Sequence, residues 1–142
     1  MERRDFIRFS AAGAVAGLIA PSLSHAEAGK QPTPPGDIFY TQDAQGRWAG
    51  KAATHLPVIE ASKDGGKTTV KVTTPHELKG YEHYIIKHVL LDKDYKFIAE
   101  HFFDPTKDSV AISTFTLDNY SGPIYALSLC NKHDRWLSSA EV

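Results

Sequence analysis

The residues best suited to chemistry lie in the run Cys130-Asn131-Lys132-His133, which holds the only cysteine of the 142-residue chain. Three further histidines, His55, His76 and His83, lie upstream at the ends of predicted strands or in loops. A thiolate three residues before an imidazole, joined by imidazoles from distant segments, indicates a mononuclear metal centre. Zinc fingers and ribbons need paired cysteines, and an internal disulfide needs a second one, so neither is compatible with this chain.

The amino terminus predicts export. Arg3 and Arg4 precede an uncharged stretch over residues 9–23, and small residues follow it at the positions that a signal peptidase reads. Residues 1–26 are therefore predicted to be a twin-arginine signal peptide, which places the mature protein in the periplasm. The alternative, a membrane anchor, is disfavoured because the apolar run is short for a full span.

After the signal peptide, residues 27–37 contain three prolines and two glycines, which predicts a linker. Residues 38–142 are predicted to form one domain. The whole chain carries a formal net charge of −1. This balance argues against nucleic acid or an anionic membrane surface as a partner. In an oxidising compartment a single cysteine is inert, intermolecular or a metal ligand, and we expect a ligand.

The chain predicts an all-β fold without a long helix. Six segments are rich in β-branched and aromatic residues and are separated by good turn formers. Such spacing predicts an antiparallel sandwich or barrel. The segments are Leu56–Ala61, Lys67–Thr73, His83–Leu91, Tyr95–Phe103, Ser109–Leu117 and Pro123–Cys130.

The motifs resemble the iron domain of the superoxide reductases, a family also called desulfoferrodoxin and neelaredoxin. The first motif is His-x-Pro, which begins at residue 55. The second is the pair His76 and His83, with Tyr-Ile directly after His83. The third is Cys-Asn-x-His at residues 130–133, followed by Trp136. The resemblance covers roughly residues 38–137. It implies an immunoglobulin-like β-sandwich of about seven strands. Because the chain lacks a second, four-cysteine iron domain, it resembles the one-iron class.

For this chain the resemblance implies an enzyme, a superoxide reductase that converts superoxide to hydrogen peroxide with an electron from an unidentified donor protein. The cofactor would be one non-haem iron that cycles between Fe²⁺ and Fe³⁺. The oligomeric state stays open, a homo-oligomer included. The implied metal ligands are four equatorial histidines and one axial cysteine, namely His55, His76, His83, His133 and Cys130.

The chain departs from the family pattern before its first histidine, where Ala53-Thr54 stands in place of the usual Glu-Lys pair. In the family that glutamate is a removable ligand and that lysine offers positive charge to the bound anion. We expect Lys51, or failing that Lys79, to supply the missing charge, and Lys51 is the predicted catalytic residue. In the family a glycine commonly follows the last histidine, and in this chain that position is occupied by Asp134.

Two alternatives to a superoxide reductase remain open. A blue-copper electron carrier is also a periplasmic β-sandwich, but it uses two histidines, one cysteine and often a methionine, and the only methionine here is Met1. A degenerate family member could bind metal without turnover. Two other histidines, His88 and His101, are expected to be half-exposed surface or packing residues in a strand. Trp48 and Trp136 are candidates for the core or for the lining of the site, and the core is favoured. The amides of Asn131 and Lys132 are expected to hydrogen-bond the sulfur.

Overall fold

The computed structural model describes residues 37–142. The predicted signal peptide and nearly all of the predicted linker lie outside the described residues. No helix in the described part of the chain is long and apolar enough to cross a membrane.

Seven strands form two antiparallel sheets over residues 37–142, which confirms the predicted immunoglobulin-like sandwich. One sheet has the order β1-β2-β5 and the other the order β4-β3-β6-β7. All six predicted segments are strands, and the seventh strand follows the Cys-Asn-x-His motif. The bounds are β1 Val58–Asp64, β2 Lys67–Glu77, β3 Ile85–Leu91, β4 Phe97–Phe102, β5 Val110–Asp118, β6 Pro123–Cys130 and β7 Asp134–Glu141.

Short helical turns flank the sheets on the side of the metal-ligand candidates. One α-helical turn, α1, spans Ala52–His55, and 3₁₀ turns span Gly46–Trp48 and Gly80–Glu82. Tyr40 joins the segment before α1 to β7, because its amide donates to the Arg135 carbonyl at 3.0 Å and its carbonyl accepts from the Leu137 amide at 2.8 Å. The chain before α1 is thereby fixed against the sandwich.

The core is built by strict alternation on the strands that face each other across the sandwich. On β2 every second residue from Thr68 to His76 is buried, and on β6 every second residue from Ile124 to Cys130 is buried. This period of two is the geometry of a strand with one face in the core. It carries His76 and Cys130 inward at the same end of the molecule.

A buried polar layer separates two apolar parts of the core. The His88 ring lies between the hydroxyls of Thr74, at 2.8 Å, and Ser113, at 2.7 Å, and the Thr74 hydroxyl also meets that of Ser128 at 2.7 Å. His88 is 0% exposed, which makes it a packing residue, the second of the two expected outcomes. A register shift between Ile85 and Lys87 reverses the alternation and turns His88 inward.

Candidate metal centre

His55 and His76 come from the first half of the site. His55 ends α1, where the Lys51 carbonyl accepts from its Nδ1 at 3.0 Å. His76 lies near the end of β2, and its Nδ1 donates to the Glu77 carbonyl. A carbonyl oxygen can only accept, so both Nδ1 atoms carry the proton. Each Nε2 therefore presents a lone pair to the centre of the site.

His83, Cys130 and His133 complete the cluster from two turns. His83 follows the 3₁₀ turn after β2, Cys130 is the last residue of β6, and His133 lies in the turn before β7. The side-chain amide of Asn131 ties the two turns together, since it donates to the Glu82 carbonyl at 2.9 Å while its oxygen accepts from the Tyr84 amide at 3.0 Å.

The five candidate side chains converge. His133 Nδ1 lies 3.1 Å from His55 Nε2 and 3.3 Å from His83 Nε2. His83 Nε2 also lies 3.0 Å from His76 Nε2. Cys130 Sγ lies 3.5 Å from His133 Nδ1. The ligand atoms of His55, His76, His83 and Cys130 all lie within 4.8 Å of one another. His133 falls outside that four-membered group, but its three short contacts place it in the same cluster.

These separations fit a single ion. Neighbouring ligands at right angles on an ion with metal–nitrogen bonds of about 2.1 Å lie about 3.0 Å apart. The nitrogen contacts of 3.0–3.3 Å match that value, and a larger sulfur accounts for the 3.5 Å contact. Four imidazoles with one thiolate suit a borderline metal such as iron and exceed the two imidazoles of a blue-copper site.

Burial keeps the imidazoles in the form that binds metal. Desolvation lowers the pKa of His55 to about 4, and it is also the main cause that lowers the pKa values of His76, His83 and His133. All four rings are therefore neutral near pH 7, as metal coordination requires. Desolvation raises the pKa of the Cys130 thiol, and the Lys132 and His133 amides, which hydrogen-bond the sulfur, oppose that rise.

The sulfur is thus bonded by a different pair of amides from the expected one. Lys132 takes part as expected, but the second amide is that of His133. The Asn131 amide instead donates to the Tyr84 carbonyl at 3.2 Å. Amides directed at a thiolate stabilise its negative charge and weaken its donation to a metal.

An open cavity of about 380 Å³ faces the cluster. Its lining includes His55, His76, His83 and His133 but not Cys130, which is buried beneath. The sulfur therefore lies on the protein side of the cluster and the solvent-accessible face lies on the other. Lys51 and Lys79 both line this cavity.

Lys51 and Lys79 differ in their pairing. The Lys79 ammonium lies 3.6 Å from a Glu77 carboxylate oxygen. The Lys51 ammonium forms no ion pair with residues 37–142, and its positive charge is among the causes that lower the pKa of His133. Among residues 37–142, Lys51 therefore adds a positive charge to the cavity that no carboxylate pairs.

Sequence reasoning missed the surroundings of His133. The Trp48 ring stands edge-on to that imidazole with centroids 4.7 Å apart, and its Nε1 donates to Asp134 at 2.8 Å. Trp48 is half-buried: it packs against the buried cluster of Tyr40, Ala52 and Trp136 and also contacts the His133 ring, whereas Trp136 is fully buried as expected. These contacts join residues 86 positions apart, so no local pattern signals them.

Comparison with known proteins assigns the family. The desulfoferrodoxin family model matches residues 47–139. The chain belongs to the desulfoferrodoxin family. No curated protein sequence gives a significant match.

Solved superoxide reductases share the fold. Superoxide reductase (neelaredoxin) from Ignicoccus hospitalis is 30% identical with a TM-score of 0.62, over 78% of this chain and 98% of that one. A putative superoxide reductase from Thermotoga maritima is 25% identical with a TM-score of 0.59, over 75% and 93% of the two chains. A superoxide reductase solved in the oxidised state is 27% identical with a TM-score of 0.57, over 73% and 95%.

Proposed function

We propose that this protein is a superoxide reductase that reduces superoxide by one electron to hydrogen peroxide. The observation that carries the proposal is the convergence of four neutral imidazoles and one thiol beneath an open, lysine-lined cavity. Family membership and the solved superoxide reductases support it. In this proposal a mononuclear iron is held by His55, His76, His83, His133 and Cys130.

The overall reaction consumes one superoxide, one electron and two protons for each hydrogen peroxide. Iron in the cluster would supply the electron, and an external donor protein would restore it. The chain's own residues bind and orient the anion. Lys51 attracts it with a positively charged side chain that lines the cavity, and solvent reaches the same face and delivers protons.

The groups on the buried side of the cluster would set the electron density at the iron. The Cys130 thiolate would donate charge to the iron, while the Lys132 and His133 amides limit that donation. The carbonyls of Lys51 and Glu77 orient two imidazoles. The protein's contribution is therefore a fixed ligand set with one accessible face.

The test is to load the protein with Fe²⁺ anaerobically, measure metal content and superoxide decay, and then record the visible absorption of the oxidised, ferric form. A reductase yields one hydrogen peroxide per superoxide consumed, whereas a dismutase yields one per two. We expect Cys130→Ser to lose the sulfur-to-iron absorption band and the activity. His101→Gln, which removes an exposed imidazole outside the cluster, should change neither.

The second candidate function is metal binding without turnover. It is favoured by Ala53-Thr54, which stands where the family pattern has its Glu-Lys pair. Under this alternative the wild-type protein binds iron and shows the absorption band, yet superoxide decays no faster than in its absence.

The proposed location is the periplasm, after export by the twin-arginine route. The support is the sequence of residues 1–26, with Arg3 and Arg4 before an uncharged stretch. Replacing both arginines by lysine should retain the protein in the cytoplasm, as cell fractionation would detect. Export of that double variant at the wild-type level would contradict the proposal.

A further inference from the structure

His83 and His133 are the cluster imidazoles whose outer ring nitrogen has no hydrogen bond to residues 37–142, and of these two it is His133 that contacts an aromatic ring from outside the cluster. The rings of His55 and His76 are each fixed by an Nδ1 hydrogen bond to a backbone carbonyl. His133 directs Nδ1 into the cluster, and its Nε2 has no hydrogen bond to residues 37–142. Its backbone is held, since the Trp136 indole donates to the His133 carbonyl at 3.0 Å. The ring itself must be held in another way.

Trp48 supplies that contact. Its ring lies perpendicular to the His133 imidazole, at an interplanar angle of 89° and a centroid separation of 4.7 Å. Edge-to-face contacts of this kind are favourable and directional, because the electropositive edge of one ring meets the electronegative face of the other. The position of Trp48 therefore limits the rotation of the His133 ring.

Asp134, the residue directly after His133, holds Trp48 in place. One carboxylate oxygen of Asp134 accepts from Trp48 Nε1 at 2.8 Å, from Arg47 Nη2 at 2.6 Å and from the Tyr40 hydroxyl at 3.4 Å. The Arg47 guanidinium also lies over the Trp48 ring, 4.7 Å from its centroid. The indole is thus fixed both at its nitrogen and on its face.

The backbone at Asp134 is itself unusual. Its φ is +62°, a left-handed conformation that glycine adopts without cost and that most other residues avoid. A glycine there would satisfy the turn but offer no acceptor to the indole. Asp134 therefore combines a left-handed backbone with a side-chain oxygen that accepts from three donors.

We propose that Asp134 is a positioning residue for His133, acting through Trp48 to fix the imidazole toward the metal. Asp134 is neither one of the cluster donors nor one of the residues that line the cavity. The inference rests on the proposed function only in that the ion at the cluster is taken to be iron. The contact between Asp134, Trp48 and His133 can be tested without any metal.

Three variants separate the contributions. Asp134→Gly keeps the left-handed backbone and removes every acceptor. Asp134→Asn tolerates the same backbone and keeps an amide oxygen for the indole, but it loses the charge paired with Arg47. Trp48→Phe keeps an aromatic ring beside His133 and removes the donor. Asp118→Asn, which breaks an exposed ion pair with Lys67, is the matched control.

The metal-free readout is tryptophan fluorescence. Of the two tryptophans, Trp136 is 0% exposed, so acrylamide quenching reports on Trp48. We expect increased quenching in Asp134→Gly, an intermediate value in Asp134→Asn, and no change in Asp118→Asn. Wild-type quenching in Asp134→Gly would overturn the inference.

The metal-dependent readouts are the rate of iron release to a chelator and the absorption and EPR spectra of the ferric form. Removing groups that orient a ligand typically weakens metal binding 10- to 100-fold, so we expect release from Asp134→Gly and Trp48→Phe to be about tenfold faster. The spectra should broaden as the ring gains freedom, and Asp134→Asn should restore them in part. Lower thermal stability with unchanged release and spectra would show a merely structural role and overturn the inference.

Failure of this inference and failure of the proposed function are distinguishable. If the wild-type protein reduces superoxide while Asp134→Gly matches it in quenching and iron release, only the inference is wrong. If the wild-type protein binds iron without turnover, the proposed function is wrong, while the quenching and release measurements still decide the role of Asp134.

Discussion

Positive charge at the cavity comes from Lys51 and Lys79, which line it together with the cluster histidines. Lys51 lies at the amino end of α1, four residues before His55, and its backbone carbonyl orients that imidazole. Its side chain serves a separate purpose, because an ammonium that lines the cavity raises the local concentration of a small anion. The two contributions of Lys51 can be separated, since a substitution changes the side chain and leaves the carbonyl.

We expect Lys51→Ala to lower the second-order rate constant for superoxide about tenfold at low ionic strength, within the range of electrostatic steering. Lys51→Arg should retain most of the rate. The difference between wild type and Lys51→Ala should shrink as salt is added, because salt screens the attraction. Pulse radiolysis or stopped flow over a range of ionic strengths would measure this.

The matched control is Lys63→Ala. It removes the same charge near the end of β1, next to the β1–β2 turn, where Lys63 bonds the Ser121 hydroxyl at 2.9 Å. We expect the control to leave the rate within about twofold of wild type, since the effect of an exposed charge is screened beyond roughly 10 Å. Equal rates for wild type and Lys51→Ala would mean that Lys79 attracts superoxide instead, or that neither lysine does.

At the scale of the elements, much of the fold could be predicted because period-two alternation is a local signal. The six segments chosen for β-branched and aromatic residues are all strands. The sequence does not predict β7, because the adjacent apolar residues Trp136 and Leu137, both buried in the structure, break the alternation. The helical turn Ala52–His55 is too short for a helical period to be visible.

What the sequence can and cannot indicate about the site depends on whether the signal is local. Residue type and spacing suffice to select cysteine and histidine as donors, and the structure brings those side chains together. The bulge that turns His88 inward depends on the pairing of β3 with β6, which is not a local property. The contact of Asp134 with Trp48 likewise depends on how distant segments pack.

The layer around His88 joins the two sheets with hydrogen bonds. His88 and Ser128 belong to the sheet with β3 and β6, while Thr74 and Ser113 belong to the sheet with β2 and β5. Each bond contributes about 1 kcal/mol when made and costs more when one partner is left unsatisfied. His88 must stay neutral to keep these bonds, and desolvation, aided by the positive charge of nearby His101, lowers its pKa from 6.5 to about 3.

This pKa shift predicts acid sensitivity of the fold. Above pH 6.5 His88 is neutral in both the folded and unfolded states, so it makes no pH-dependent contribution. As the pH falls from 6.5 toward 3, the unfolded state binds a proton that the folded state excludes, and stability is lost. At pH 5 the loss from this one residue is about 2 kcal/mol.

Urea unfolding of the metal-free protein at pH 7 and pH 5, compared with His88→Gln, would measure this contribution. The variant cannot protonate, so its stability should fall less between the two pH values, by about 2 kcal/mol. The cluster histidines are present in both proteins, and their contribution cancels in the difference. An identical pH dependence for both proteins would show that His88 is charged or exposed in the native state.

At the scale of the whole molecule, the cluster connects parts of the chain that the sheets leave separate. The donors come from α1, from the end of β2 and the turn after it, and from the β6–β7 turn. The unfolded chain does not hold these donors together, so an ion binds the native state selectively. The free energy of metal binding is then added to that of folding.

Iron should therefore raise the thermal stability of the protein. At a free Fe²⁺ concentration 100 times the dissociation constant, the expected stabilisation is about 2.7 kcal/mol, or roughly 10–20 °C in Tm for a domain of this size. Anaerobic differential scanning calorimetry with and without iron, at a concentration set from a separate competition titration, would measure the shift. His101→Gln should show the same shift. Cys130→Ser should show a smaller one at the same iron concentration, because it has lost one of the donors. A wild-type Tm that does not respond to saturating iron would mean that the ion does not hold these segments together, and the five-residue ligand set would then be wrong.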